Sequence, residues 1–497
     1  MRLNLQSAIP TTLRRIGPNS LTYAAGDLIA RGAAFLLLPL YTRTLTTAEY
    51  GTYGVVLSLV AILNVLLPMQ LQAGVTVQYF QVGGTQRREF ISAALASLLL
   101  SNCLIAGFLL ATQRWWAFAL IGRADPEVLA QLAIGIAALS AFGTIPQSLM
   151  RLREQPRMLV TITASTYIVG LGLGVYMLLG LHLGTPGLLG GTLIANALVL
   201  PVYAAYLRPE VTRRIPSHWF GDMALISLPL VPHMIAHWGL NLMDRIILQR
   251  FVSLSDVGIY QLGYQLGTLF QIVVLGVNAA WVPYLFQRLG NPSAADEMKR
   301  TSTWLVYVQA WIGLGIALLV PEAAVLVLAP SFHQAVGVVP WVVLGFFMVA
   351  LYHLWVNLLF FRKRTALVPV ATLIAAFVNL VLNLTLIPRV GYIGAAYTTA
   401  ISYAVLAALT GLMTKHVGIG PDYEYRKWAI AAAVGIGLFL MGTLLNESTT
   451  ALRWAGKGVL WLTFPLMLVV LRFVTLGEFR GLAAIFKPNG EKGDHPN

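Results

Sequence analysis

The chain has 497 residues, 58% of them hydrophobic and only 10% charged, with a formal net charge of +14 and a mean hydropathy of +0.75. Soluble proteins carry about 25% charged residues, so the composition excludes a soluble globular protein and describes a polytopic membrane protein. The positive balance does not point to nucleic acid, because the basic residues stand in loops between apolar runs, where they signal membrane orientation.

The N-terminus lacks a signal-peptide pattern. Arg14 and Arg15 precede an apolar run too long for a signal core, so the first helix itself is expected to direct insertion. A span needs about 20 mainly apolar residues. By that rule the expected spans are roughly 20–41, 52–74, 90–111, 128–150, 158–180, 187–207, 223–243, 257–286, 303–326, 336–361, 366–387, 392–413, 427–446 and 455–474. The run from Trp115 to Ile121 is too short to span and is expected at the interface. Cys103, the one cysteine, lies inside the third span and has no partner for an internal disulfide.

Lys and Arg set the orientation. With the N-terminus in the cytosol, clusters such as Arg14–Arg15, Arg151/Arg153/Arg157, Arg213–Arg214 and Arg362–Lys363–Arg364 fall inside. Arg43, Arg114, Arg123, Arg245, Arg250, Arg389, Arg453 and Lys457 fall in outer loops. The inside excess is roughly three to one, which predicts that both termini are cytosolic.

The chain repeats itself. Arg43, Glu49, Gly51 and Tyr53 correspond to Arg250, Asp256, Gly258 and Tyr260, each at an offset of 207. Gly184 and Gly187 correspond to Gly391 and Gly394, and Arg157 to Arg364, at the same offset. An internal repeat decides architecture. Six spans per repeat is an even number, so both halves enter the membrane in the same direction, a parallel repeat about an axis normal to the membrane. The expected fold is therefore an all-α integral membrane protein of about 14 transmembrane helices. It comprises an N-lobe (1–210), a C-lobe (211–415), a C-terminal helix pair (416–480) and a polar, disordered cytosolic tail (481–497). Two such bundles leave a cleft between them.

No outer loop exceeds about 16 residues, which leaves no room for an extramembrane catalytic domain. No Walker A motif is present, so ATP is not the direct energy source. Gly170, Gly172 and Gly174 lie within a span and read as a close-packing face, not a nucleotide loop.

An ionisable group at mid-bilayer costs about 2.5–3.5 kcal/mol on insertion scales. Asp27 and Arg31, spaced i, i+4 in the first span, share a helix face. They are either a self-neutralised pair that eases insertion or a cavity-facing pair in which Arg31 meets an anion and Asp27 holds it. In the seventh span His233, His237, Asn241, Asp244 and Arg245 form one polar stripe. Tyr260, Tyr264, Gln271 and Asn278 follow in the eighth, His353 and Asn357 in the tenth, and Asn379 and Asn383 in the eleventh. Any one of these could be interhelical hydrogen-bonding glue, worth about 0.6 kcal/mol, but stripes from both lobes favour a hydrated central cavity. The His233/His237 pair lacks a third ligand at a metal-motif spacing, and no metal is expected. No Ser/His/Asp or paired-carboxylate signature for hydrolysis is present, and no enzyme activity is expected.

The pattern Tyr41-x-Arg43-x-Leu45-x-x-x-Glu49-Tyr50-Gly51 after a Gly/Arg-bearing first helix, its echo Asp256-Val257-Gly258-Ile259-Tyr260, and Gly391-Tyr392-Ile393-Gly394-Ala395-Ala396 resemble polysaccharide-transporter proteins. These belong to the multidrug/oligosaccharidyl-lipid/polysaccharide (MOP) flippase superfamily, and the resemblance spans the whole chain. It implies a Wzx-type flippase of the bacterial inner membrane that moves undecaprenyl-pyrophosphate-linked oligosaccharide units from the cytoplasmic to the periplasmic leaflet by alternating access. The glycan would serve O-antigen, capsule or exopolysaccharide synthesis, with a polysaccharide polymerase or ligase as partner machinery. The family's cavity is often lined by cations: here Arg31, with Arg245 and Arg250 nearer the outer mouth. No cofactor is implied, and coupling to H+, Na+ or the membrane potential stays open. A lipid II flippase is the first alternative, but those carry more Arg in the first two helices. A multidrug/cation antiporter would expect acidic cavity residues and twelve helices. A membrane-embedded glycan polymerase or ligase would need a substantial outer loop.

Overall fold

The computed structural model describes residues 32–122, 126–289, 291–418, 420 and 422–471. The first expected span lies mostly outside this range, as do Asp27, Arg31 and the tail 481–497. Among the described residues the chain is helical, with no β-strand. We number the α-helices α1 (Leu38–Thr44), α2 (Thr47–Leu66), α3 (Leu71–Gln78), α4 (Gly84–Ile121), α5 (Pro126–Ala141), α6 (Thr144–Leu152), α7 (Pro156–Leu179), α8 (Gly184–Leu207) and α9 (His218–Ser227). They continue as α10 (Leu230–Phe251), α11 (Leu254–Arg288), α12 (Ala295–Val327), α13 (Val339–Phe361), α14 (Leu367–Val390), α15 (Tyr392–His416), α16 (Tyr425–Thr443) and α17 (Thr450–Val470).

Among the described residues eleven helical stretches are long and apolar enough to cross a membrane. They coincide with the second to twelfth expected spans. α16 and α17 occupy the last two expected positions but are not among the eleven, so the count of fourteen is not reached on these residues. Two boundaries differ from expectation. The Trp115–Ile121 run is not a separate segment: α4 continues unbroken through it for 38 residues, about 57 Å at 1.5 Å per residue. The seventh span is two helices, α9 and α10, broken at Leu228–Pro229, because proline removes a backbone donor and clashes with the preceding turn.

The repeat is visible as matched local devices. Thr46 caps α2 through a capping box: its Oγ1 accepts from the Glu49 amide at 3.2 Å, and Glu49 Oε2 accepts from the Thr46 amide at 2.9 Å. Ser253 and Asp256 make the same reciprocal pair at the start of α11, at 3.1 and 3.2 Å. Each box satisfies donors that a helix start leaves orphaned. At the other matched position Gly184 and Gly391 both take left-handed conformations, φ +58° and +74°. Gly184 is doubly constrained, since a Cβ there would also lie 2.9 Å from Glu49 Oε1. The offset is not uniform. The hooks that end α6 and α13 put Glu154 and Lys363 in the left-handed region. They are closed by the Gln155 amide on Met150 O and the Arg364 amide on Leu359 O. These hooks match Arg364 to Gln155, not to Arg157, so the second repeat is two residues shorter between this hook and the Gly391 turn.

The chain divides into two compact units. Unit 1 takes the described parts of Met1–Gly263, Val327–Ala335 and Pro369–Ser402. Its core packs Val56, Leu63, Phe90, Ala94, Ile134 and Leu149. Within it, α2 and the first turns of α11 cross at their matched glycines. A Cβ on Gly51 would lie 1.9 Å from Leu254 O, and one on Gly258 1.9 Å from Thr47 O.

Unit 2 takes the described parts of Tyr264–Leu326, Val336–Val368 and Tyr403–Asn497. Its core joins Tyr307, Leu314 and Leu318 of α12 to Ala431, Leu438, Phe464 and Leu468 of the C-terminal pair. Trp311 and Trp461 stack at 5.1 Å and 13°. Each indole N–H donates to the other's carbonyl at 3.1 Å.

Candidate functional site

In unit 1 the polar stripe lies on α10. The 3.6-residue period puts His233, His237 and Asn241 on one face. His237 is exposed, while His233 and Asn241 are half-buried. Asn241 Nδ2 donates back to the His237 carbonyl at 2.7 Å. Of the three, His237 is the one left exposed.

The end of the stripe behaves differently. Asp244 and Arg245, the last members of the expected stripe, with Arg245 expected nearer the outer mouth, lie inside α10 and are 2% and 1% exposed. Arg245 Nη1 contacts Asp244 Oδ1 at 2.5 Å and donates to Asn241 O at 2.7 Å. Its Nε donates to Gln261 Oε1 at 2.9 Å, and its guanidinium sits 5.1 Å over the Tyr260 ring. The Tyr260 hydroxyl donates to Asp244 Oδ2. A buried ion pair is tolerated only when further hydrogen bonds satisfy its remaining atoms, and this one clamps α10 to the first turns of α11. Arg250, in the last turn of α10, is exposed.

Asn379 and Asn383 share one face of α14, are 1% and 0% exposed, and bond to each other at 2.8 Å. Both are sealed inside unit 1, and the bond between them lies within α14.

In unit 2, Asn357 Nδ2 donates to Asn278 Oδ1 at 2.8 Å and to His353 O at 2.7 Å, tying α13 to α11. Tyr264 is buried against Phe346 at 6.2 Å, and Gln271 is half-buried.

Unit 2 also holds a charge cluster that sequence reasoning missed. Lys457, expected in an outer loop, is inside α17, 5% exposed, with Nζ 2.6 Å from Glu322 Oε1 and 2.7 Å from Asn446 Oδ1. Arg453 Nε lies 3.7 Å from Glu322 Oε2. The available signal was a lone carboxylate and a lone ammonium, each within an apolar run. An apolar cavity of about 400 Å³ lies in the same unit, lined by Gly313, Leu314, Trp341, Phe347, Gly435 and Phe439 among others.

Among the described residues no group of three or more His, Cys, Asp or Glu side chains could hold a metal ion. The site chemistry is that of neutral hydrogen-bonding groups and enclosed ion pairs on membrane-spanning helices.

Residues 16–288 match the family described as Polysaccharide biosynthesis protein, more than half of the chain. The chain belongs to this family. Two solved transporters share its fold. A lipid II flippase, MurJ, in an inward closed conformation superposes with a TM-score of 0.74 at 10% identity, covering 92% of this chain and 99% of its own. An inward-facing multidrug-resistance MATE transporter of the MOP superfamily superposes with a TM-score of 0.59 at 14% identity, covering 79% and 94%. By sequence the chain is also 22% identical over 406 residues to an uncharacterized membrane protein of Haemophilus influenzae, covering 80% of this chain and 94% of that protein.

Proposed function

We propose that the protein is a flippase that carries polyprenyl-pyrophosphate-linked oligosaccharide units from the cytoplasmic to the periplasmic leaflet of the bacterial inner membrane, by alternating access, for surface polysaccharide synthesis. The observation that carries this reading is that a polysaccharide biosynthesis family member has the all-helical membrane fold of lipid and drug transporters. A sugar head group cannot cross hydrocarbon, since each hydroxyl without a partner costs roughly 2–7 kcal/mol, whereas the polyprenyl tail is at home in lipid.

In this reading the face of α10 that carries His233, His237 and Asn241 meets the hydrated head group. Asp27 and Arg31 meet the pyrophosphate, because a guanidinium binds phosphate through paired, charge-assisted hydrogen bonds. Arg250 stands in the last turn of α10. Asp244, Arg245, Tyr260, Asn379 and Asn383 frame the site.

Reconstitution tests the reading. Proteoliposomes are loaded with a lipid-linked oligosaccharide, and its accessibility to an external lectin or glycosidase is followed in time. Protein-dependent appearance of the glycan on the far leaflet is expected. Transport of organic cations with no movement of the glycolipid would assign the chain to drug antiport instead.

A further inference from the structure

We infer that unit 2 contains a binding site for a single water molecule, held by Trp281 of α11, Gln309 of α12 and His353 of α13. These residues line one small cavity of about 10 Å³, together with Val274, Val277, Asn278, Leu305, Ala350 and Leu354. Each of the three presents a buried polar atom with no protein partner: Trp281 Nε1, Gln309 Oε1 and His353 Nδ1. Trp281 is 3% exposed and Gln309 2%. Orphaned buried polar atoms are rare, and a cluster of them around one space marks a shared ligand.

The donor and acceptor count identifies it. The indole N–H can only donate, and the Gln309 oxygen can only accept. The amide assignment is fixed by its other end, where Nε2 donates to Leu305 O at 3.2 Å; a flipped amide would set two oxygens face to face. One water accepts from Trp281, donates to Gln309 and donates its second proton to an unprotonated His353 Nδ1. If Nδ1 carries hydrogen, the water turns and accepts it with its second lone pair. A buried water typically makes about three such bonds and needs about 10–15 Å³, close to the space found.

Other ligands fit worse. A cation would face the indole N–H, and no carboxylate lines the cavity. A sugar hydroxyl with its ring is far too large. The consequence is a joint: three long membrane helices, α11, α12 and α13, are hydrogen-bonded through one mobile molecule. They can then shift against one another without stranding a polar group in a bilayer core that supplies no other partners.

High-resolution structure determination of the full-length protein in nanodiscs tests the site, with a double-mutant cycle in thermal stability alongside. The expected map has a density peak 2.7–3.2 Å from all three atoms. Gln309→Met and Trp281→Phe each strand the water or a partner, so the double variant should lose less melting temperature than the sum of the two single losses. A map with empty space, or with a side chain turned in to fill it, overturns the proposal, as do additive losses. If a variant fails to accumulate, the wild-type map alone decides.

Discussion

Gly51 and Gly258 occupy reciprocal positions in one helix crossing. The Cβ that either lacks would stand 1.9 Å from a backbone carbonyl of the opposite helix, Leu254 O for Gly51 and Thr47 O for Gly258. Leu254 and Thr47 are themselves related by the 207-residue offset, so the contact is isologous, with residue i meeting j and j meeting i. Close backbone approach through small residues is how membrane helices associate where hydrophobic contrast is missing.

Gly51→Ala and Gly258→Ala should each destabilise the protein by about 1–3 kcal/mol or more, because the obstacle is backbone and cannot rotate away. Gly276→Ala, with nothing within 4 Å, should be neutral or slightly stabilising. Fluorescence-detected melting of the purified protein measures all three. The Gly51→Ala/Gly258→Ala double variant should cost less than the sum, since both open the same contact.

Asp244→Ala should be far worse than replacement of both partners. Alone, it leaves the Arg245 guanidinium buried without its carboxylate, at a cost of about 3–5 kcal/mol. Asp244→Leu/Arg245→Met should recover much of that. Tyr260→Phe should sit between, losing one hydrogen bond to a charged group, about 1.5–3 kcal/mol. Melting temperature and yield report the order. A double variant no better than Asp244→Ala would mean the pair contributes more than mutual neutralisation.

The same logic applies to the C-terminal helices. Glu322→Ala strands Lys457 and should loosen α17 from α12, with Glu322→Leu/Lys457→Met restoring the packing. Limited proteolysis of the loop between α16 and α17, 444–449, should speed up in Glu322→Ala and return toward wild type in the double variant.

Arg31→Ala should abolish glycan export at normal protein level if the guanidinium binds the pyrophosphate. Arg31→Lys should rescue only in part, because a point charge cannot reproduce the paired fork geometry. Complementation of a flippase-deficient strain, scored by surface polysaccharide, gives the answer. Full export by Arg31→Ala would remove Arg31 from the site.

Outward movement of an anionic pyrophosphate is favoured by an inside-negative potential, by about 2.3 kcal/mol per charge per 100 mV if uncompensated. Flipping in vesicles should respond to an imposed potential, with a smaller added effect of a pH gradient. Two histidines one turn apart repel when both are charged, so one proton per His233/His237 pair is the expected load. His233→Asn/His237→Asn should remove the pH effect and spare the potential effect. A full pH response in that variant would assign proton coupling to other groups.

The sequence alone determined the class, the order of spans two to twelve, and the repeat. Each is written in local quantities: hydropathy over about 20 residues, and matched residues at a fixed offset. The periodicity of α10 likewise put His233, His237, Asn241, Asp244 and Arg245 on one side. What that side meets was not legible. His237 is left exposed while Arg245 is sealed against Asp244, Gln261 and Tyr260. Lys457 looked like a loop residue until Glu322, 135 positions away, was found beside it. Trp281, Gln309 and His353 come together from three helices, and no spacing in the sequence links them. The reason is physical. In a membrane chain nearly every helix is apolar all round, so the contrast that tells inside from outside in a soluble protein is missing. Only the packing of one helix on another decides which polar atoms are paired, which face the site, and which are left for a ligand.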